Sequence, residues 1–183
     1  VEPDRPAPHR PHRERDREPD PVVLLTAERR DPLGDSHVRP LYVYTPPGYD
    51  DEPDRRYPSV WLIQGMTGQV DMWRNRKAFS PSVPEAIDAW FADGHPPAIV
   101  VYVDAWTSYG GSQFLDSPGT GRYHTYLCRD VVGWVDRHYR TQDDPAHRAA
   151  SVQHRRTTSW CLDRVFPNAM SPGFLRSISM AMV

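Results

Sequence analysis

The chain has 183 residues, 22 basic against 24 acidic side chains, a formal net charge of −2 and a mean hydropathy of −0.69. That length fits one domain with room for a real core, and the near-neutral balance gives no sign of a polyanionic partner such as nucleic acid. No apolar h-region lies near the start and no run of 18 or more apolar residues occurs, so neither an export signal nor a membrane span is read and a cytoplasmic setting is expected. Two cysteines, Cys128 and Cys161, make neither a disulfide framework nor a zinc site.

Residues 1–21 hold six of the 20 prolines and eleven charged side chains with almost nothing apolar, and are read as a disordered arm that could not offset its ordering entropy by burial. Its mixed signs, Arg13-Glu14-Arg15-Asp16-Arg17-Glu18, differ from a basic nucleic-acid tail. Val22 to Thr26 is expected as a first strand, Arg39 to Thr45 as a second, and Pro46-Pro47-Gly48 ends the latter. Ser59 to Gln64 and Pro97 to Asp104 are nearly continuous apolar runs, as in central strands buried on both faces. Pro81 to Phe91 places Val83, Ile87 and Trp90 at helical spacing. Gly121 to Arg140 is the strongest helix, with Tyr123, Leu127, Val131, Val135 and Tyr139 recurring every four residues. Buried strands alternating with helices predict an α/β fold, a mostly parallel sheet with helices on both faces. From Ala149 onward the apolar periodicity is lost and irregular chain is expected.

In such a sheet ligands sit beyond the carboxyl ends of the strands. Three loops end there. Gln64-Gly65-Met66-Thr67-Gly68 has glycines that let backbone amides face a bound oxygen, although an ordinary turn needs no more than that. Asp104-Ala105-Trp106-Thr107-Ser108 brings an acid and an indole to the same crevice, and Tyr109 to Phe114 continues as a long loop. Gln64, Asp104, Trp106, Ser112 and Gln113 are therefore the candidate pocket lining. His124 and His138 lie about 21 Å apart along one helix, too far to share a metal. Asp143, Asp144 and His147 read as a solvated turn, Asp136 as a helix-surface acid, and Cys128 as a small residue on a packed helix. No metal site and no cofactor is expected.

Leu41-Tyr42-Val43-Tyr44-Thr45-Pro46-Pro47-Gly48-Tyr49 resembles the opening of the putative-esterase branch of the α/β-hydrolases, which includes esterase D-like, enterochelin-esterase-like and antigen 85-like proteins. Tyr57 to Gly65 is similar to that branch's strand ending in His-Gly, with Gln64 in place of the histidine. Gly121 to Leu127 with Val135 to Thr141 is similar to its helix before the nucleophile strand, and the match runs over about residues 37–148. The resemblance implies the front part of an α/β-hydrolase fold over 22–148. It also implies a serine ester hydrolase or acyl transferase with a Ser, Asp/Glu, His triad, a small-molecule ester or thioester substrate, and an oxyanion amide on Met66 beside Gly65.

The family's Gly-x-Ser-x-Gly should follow a strand after Arg148. Here the chain reads Ala149-Ala150-Ser151-Val152-Gln153-His154-Arg155-Arg156, with no glycine between Gly133 and Gly173. The last histidine is His154 and the last acid Asp163, so neither Ser151 nor Ser159 can head a triad in the family's order. Among the basic residues only Lys77 is lysine, the mark of arginine-rich coding in GC-rich DNA, where shifted frames stay open. Three readings stand: an esterase truncated or frame-shifted over 149–183 and inactive, a non-catalytic α/β-hydrolase-like binding or interaction module, and an enzyme with an unrelated nucleophile.

Overall fold

The computed structural model describes residues 20–23, 32–65, 67–75, 78–152 and 168–169. The Pro/Arg-rich arm over residues 1–19, Met66, and the tail residues Ser159 and Asp163 lie outside the described residues. Six strands form one sheet in the order β1 (Asp20–Val23), β2 (Val38–Tyr44), β4 (Ile99–Val103), β3 (Ser59–Ile63), β9 (Arg148–Val152) and β10 (Asn168–Ala169). The β1/β2 and β2/β4 pairs are antiparallel; β4/β3, β3/β9 and β9/β10 are parallel. The sheet is therefore mostly parallel, as expected. Two short strand pairs decorate it: β5 (Trp106–Thr107) with β6 (Gly110–Gly111), and β7 (Asp116–Ser117) with β8 (Gly121–Arg122).

Every side chain of β3 and β4 is buried, because each strand carries a core on both faces. Strand alternation divides them. Trp61, Ile63, Val101 and Val103 join Leu41, Tyr123, Leu127, Val131 and Val135 in one layer. Val60, Leu62, Val100 and Tyr102 join Val70, Trp73, Val83, Ile87 and Phe91 in the other. The second layer is closed by helix α1 (Val83–Ala92), which starts in a capping box: Ser82 Oγ accepts from Glu85 N–H while the Glu85 carboxylate accepts from Ser82 N–H.

The first layer is closed by one helical run in three segments, α2 (Tyr123–Thr125), a π-helical stretch Tyr126–Val131, and α3 (Val132–His138). The four-residue stripe explains the interruption. In an α-helix a strict four-residue repeat drifts by about 40° per step, since each residue turns about 100°. A wider π turn reverses that drift, so Tyr123, Leu127, Val131 and Val135 all remain fully buried. The run begins at Tyr123 rather than Gly121, whose φ of 110° and neighbour Arg122 belong to a strand pair.

Two sequence expectations are corrected on this side of the molecule. The chain does not become irregular at Ala149: Arg148–Val152 is a strand, each residue in register with β3 from Ser59↔Arg148 to Ile63↔Val152. A strand between two neighbours can be built of small residues, and Ala149 and Ala150 touch opposite core layers. Asp136 is not a free surface acid. It accepts from Thr141 Oγ1 at 2.6 Å and from the buried Arg148 Nη2 at 2.6 Å, tying α3 to the start of β9. At the other end, β1 extends to Asp20 and so takes in the last two residues of the segment read as a disordered arm.

Candidate active-site crevice at the carboxyl end of the sheet

The register fixes where the loops leave. Ile63 pairs with Val103 on one side and with Val152 on the other, so Gln64, Asp104 and the chain after β9 start side by side, with strands about 4.8 Å apart. Because β2 is antiparallel to β4, its first residues reach the same end, which delivers Arg39 to Asp104.

Asp104 is 5 % exposed and forms an ion pair with Arg39 Nη1 at 3.3 Å. The same guanidinium donates from Nη1 to the Trp106 carbonyl at 2.6 Å and from Nη2 to the Tyr123 hydroxyl at 2.5 Å. Burial pushes the Asp104 carboxyl above the ordinary carboxylate value, against the pull of Arg39 and of the nearby backbone amides of Trp106 and Val70. Tyr126, fully buried in the π-helical stretch, is pushed up as well, first by burial and then by the Asp104 charge. Asp104 thus follows the carboxyl end of β4 and is buried against Arg39.

Gln64 is buried at the end of β3, and neither its Oε1 nor its Nε2 has a hydrogen-bond partner among the described residues. An amide held so costs about 1–3 kcal/mol. Its stem packs under Gly68, where an added Cβ would come within 2.7 Å of Gln64 Cβ and 2.8 Å of Met72 Sδ. Gly65 and Gly68 close a tight turn, the Gly68 N–H donating to the Gly65 carbonyl at 3.0 Å. The oxyanion amide expected at Met66 falls on a residue outside the described ones.

The β4 loop places the other candidates differently. Trp106 is half-buried in β5, and Ser112 is buried, donating its N–H to the Ala105 carbonyl and accepting the Phe114 N–H on Oγ. Gln113 is exposed, and it and Phe114 both adopt left-handed backbone, with φ of 55° and 52°. Such a conformation costs a non-glycine residue about 1–3 kcal/mol, and here burial of the Phe114 ring in the first core layer offsets it. The structure therefore brings Gln64, Gly65, Asp104, Trp106 and Ser112 to one end of the sheet and turns Gln113 outward. The sequence reading missed Arg39. A cation opening an otherwise apolar strand was the one available signal for it.

Ser151 sits inside β9 in register with Leu62, half-buried, below the strand end rather than on a turn beyond it. Asp143, Asp144 and His147 are exposed, His147 Nδ1 lying 3.7 Å from Asp144, and no group of three or more His, Cys, Asp or Glu side chains able to hold a metal occurs among the described residues. Cys128 is half-buried against the first core layer. No described helix is long and apolar enough to cross a membrane.

The family model described as "Putative esterase" matches residues 36–151. The chain belongs to this esterase family. Its match ends inside β9, one residue before the strand does. A curated but uncharacterized protein of Corynebacterium glutamicum is 30 % identical over 124 residues, 67 % of this chain and 28 % of that protein. Among solved structures, a ferulic acid esterase superposes with a TM-score of 0.54 at 24 % identity, over 73 % of this chain and 48 % of that one. A feruloyl esterase module from Clostridium thermocellum, complexed with sinapinate, superposes with a TM-score of 0.56 at 21 % identity, over 97 % and 66 %. The α/β-hydrolase fold expected from the sequence is the fold of these esterases, and the chain spans about a quarter to two thirds of each relative.

Proposed function

We propose that this chain carries the scaffold and crevice half of a serine ester hydrolase, acting on or transferring the acyl group of a small carboxylic ester, and that as it stands it does not turn esters over. The observation that carries this reading is where the family match stops. In an α/β-hydrolase the nucleophile sits on a sharp strand-to-helix turn, and the residue after it supplies one oxyanion amide. Here the match ends at Ser151, within the strand that would feed that turn, and Gln153-His154-Arg155-Arg156 follows without the small residues that such a turn needs.

The other oxyanion amide would come from the Gly65–Gly68 turn, on Met66, with Gln64, Trp106 and Ser112 shaping the acyl side of the crevice. Covalent catalysis requires a nucleophile beside a base oriented by an acid. Ser151 has neither the turn nor, later in the sequence, an acid followed by a histidine. A change of reading frame near Ala149 accounts for the departure.

The test is a fluorophosphonate probe and a p-nitrophenyl acetate and methyl ferulate assay on the purified chain. No stoichiometric labelling and no serine-dependent turnover are expected. Labelling of Ser151 or Ser159, with turnover abolished by its change to alanine, overturns the reading. A coding sequence in which a neighbouring frame spells Gly-x-Ser-x-Gly after Ala150 supports it. A gene without such a frame favours the non-catalytic binding module instead.

A further inference from the structure

We infer that Arg39 is a positioning residue: its guanidinium, helped by the Asp35 carboxylate, holds the hairpin β5–β6 and so fixes where Trp106 stands at the crevice. The hairpin is closed on itself. Trp106 pairs with Gly111 and Thr107 with Gly110. The Ser112 N–H donates to the Ala105 carbonyl at 3.1 Å, and the buried Thr107 donates from Oγ1 to the Gly110 carbonyl at 3.1 Å. A unit bonded in this way swings as one piece about its base, where a few residues absorb the motion. It is held from outside at base and tip, and both holds come from the segment that enters β2. At the base, Arg39 Nη1 donates to the Trp106 carbonyl at 2.6 Å. Four residues earlier in the chain, Asp35 Oδ2 accepts from the Ser108 N–H at 2.8 Å and from Ser108 Oγ at 3.2 Å, at the tip.

Arg39 can serve as a fixed post because it is pinned itself. It is 5 % exposed, Nη1 lies 3.3 Å from the Asp104 carboxylate, and Nη2 donates to the Tyr123 hydroxyl at 2.5 Å. The plane of the guanidinium is therefore set by one group after β4 and another on the helix that covers the first core layer. A hydrogen bond from an ionised donor is stronger than a neutral one, and burial keeps water from competing for it. The Asp35 bond is exposed, where water does compete. The base bond thus sets the position and the tip bond limits the swing. An ammonium could not replace the fork. Lysine would keep a charge beside Asp104, yet it has no planar group to reach the Trp106 carbonyl and the Tyr123 hydroxyl together.

The inference deepens the acyl-crevice reading, in which Trp106 shapes the acyl side, but its test reads the hairpin without any ester turnover. The full chain is labelled with 5-fluorotryptophan, and its six indole fluorine signals are assigned by single Trp→Phe changes. Arg39→Lys should shift and broaden the Trp106 signal, as the released population rises by about tenfold or more, the scale of a lost hydrogen bond to a charged group. The signals of the buried Trp61 and Trp73 should hold. Tyr123→Phe removes only the hydroxyl that pins Arg39, and should move the Trp106 signal less far in the same direction. Asp35→Ala removes a surface bond to Ser108, and it too should shift the Trp106 signal because the hairpin swings as one piece. Should Arg39→Lys fail to fold, Tyr123→Phe decides. A Trp106 signal unmoved in Asp35→Ala, unmoved in the Arg39 or Tyr123 variant, or moved only in step with Trp61 and Trp73 overturns the assignment. In the wild type, a Trp106 signal indifferent to added methyl ferulate would count against the acyl-crevice reading and leave the hold on the hairpin standing.

Discussion

The ends of β4 and β9 lie two strands apart in one sheet and have opposite characters. Beyond β4 the chain enters a network in which Asp104, Arg39, Trp106 and Tyr123 are all bonded to one another or to a shared partner. Beyond β9 the family's pattern ceases within one residue of the strand end. The difference teaches that scaffold and chemistry are encoded separately in this fold. The strand itself needs only a register and small side chains, whereas a nucleophile turn needs specific residues; the strand is in place here, and the family match stops within it.

Substitutions at the two ends should therefore differ sharply in stability. Trp61→Ala removes a fully buried ring from the middle of β3, beside both β4 and β9, and should cost about 3–5 kcal/mol in urea unfolding; a loss under about 1 kcal/mol would mean that the two halves of the sheet do not share one core. Gly68→Ala should cost about 1–3 kcal/mol by overpacking, since its Cβ would lie 2.7 Å from Gln64 Cβ. Wild-type stability in that variant would show the Gly65–Gly68 turn to be free to move. Ser151→Ala should change the unfolding midpoint by no more than the equivalent of about 0.5 kcal/mol, the scale of a substitution that removes no cap, network or core contact. A larger loss would reveal a partner for Ser151 and narrow the contrast.

How much of this was legible in the sequence follows from the range of the interactions involved. The apolar runs of β3 and β4 and the spacing of Val83 and Ile87 are local signals, and they gave strands and helix within two residues of the observed bounds. The π-helical stretch was visible only as a repeat slightly too long for an α-helix. The ion pair of Arg39 with Asp104 joins residues 65 apart, and the bond from Arg39 to Tyr123 joins residues 84 apart. No periodicity reports such pairs, so the burial of Asp104 against Arg39 was not legible in the sequence. Asp136 misled for the same reason, its partner Arg148 lying on the next strand. Strand β9 was missed because Ala149 and Ala150 carry too little apolar surface to look buried.

The place of β9 beside β3 also sets a schedule. Strand β3 can pair with β4 after some 40 residues of further synthesis, but its other flank must wait for Arg148–Val152. At ordinary elongation rates that wait is on the order of ten seconds. Over that interval the Trp61 face and one hydrogen-bonding edge of the central strand stand open on the nascent chain. The bond from Arg140 N–H to the Tyr49 hydroxyl, which spans 91 residues, can close only as the same stretch emerges. Pairings this remote in sequence make folding slow, so the step most exposed to misassembly is the arrival of the last central strand.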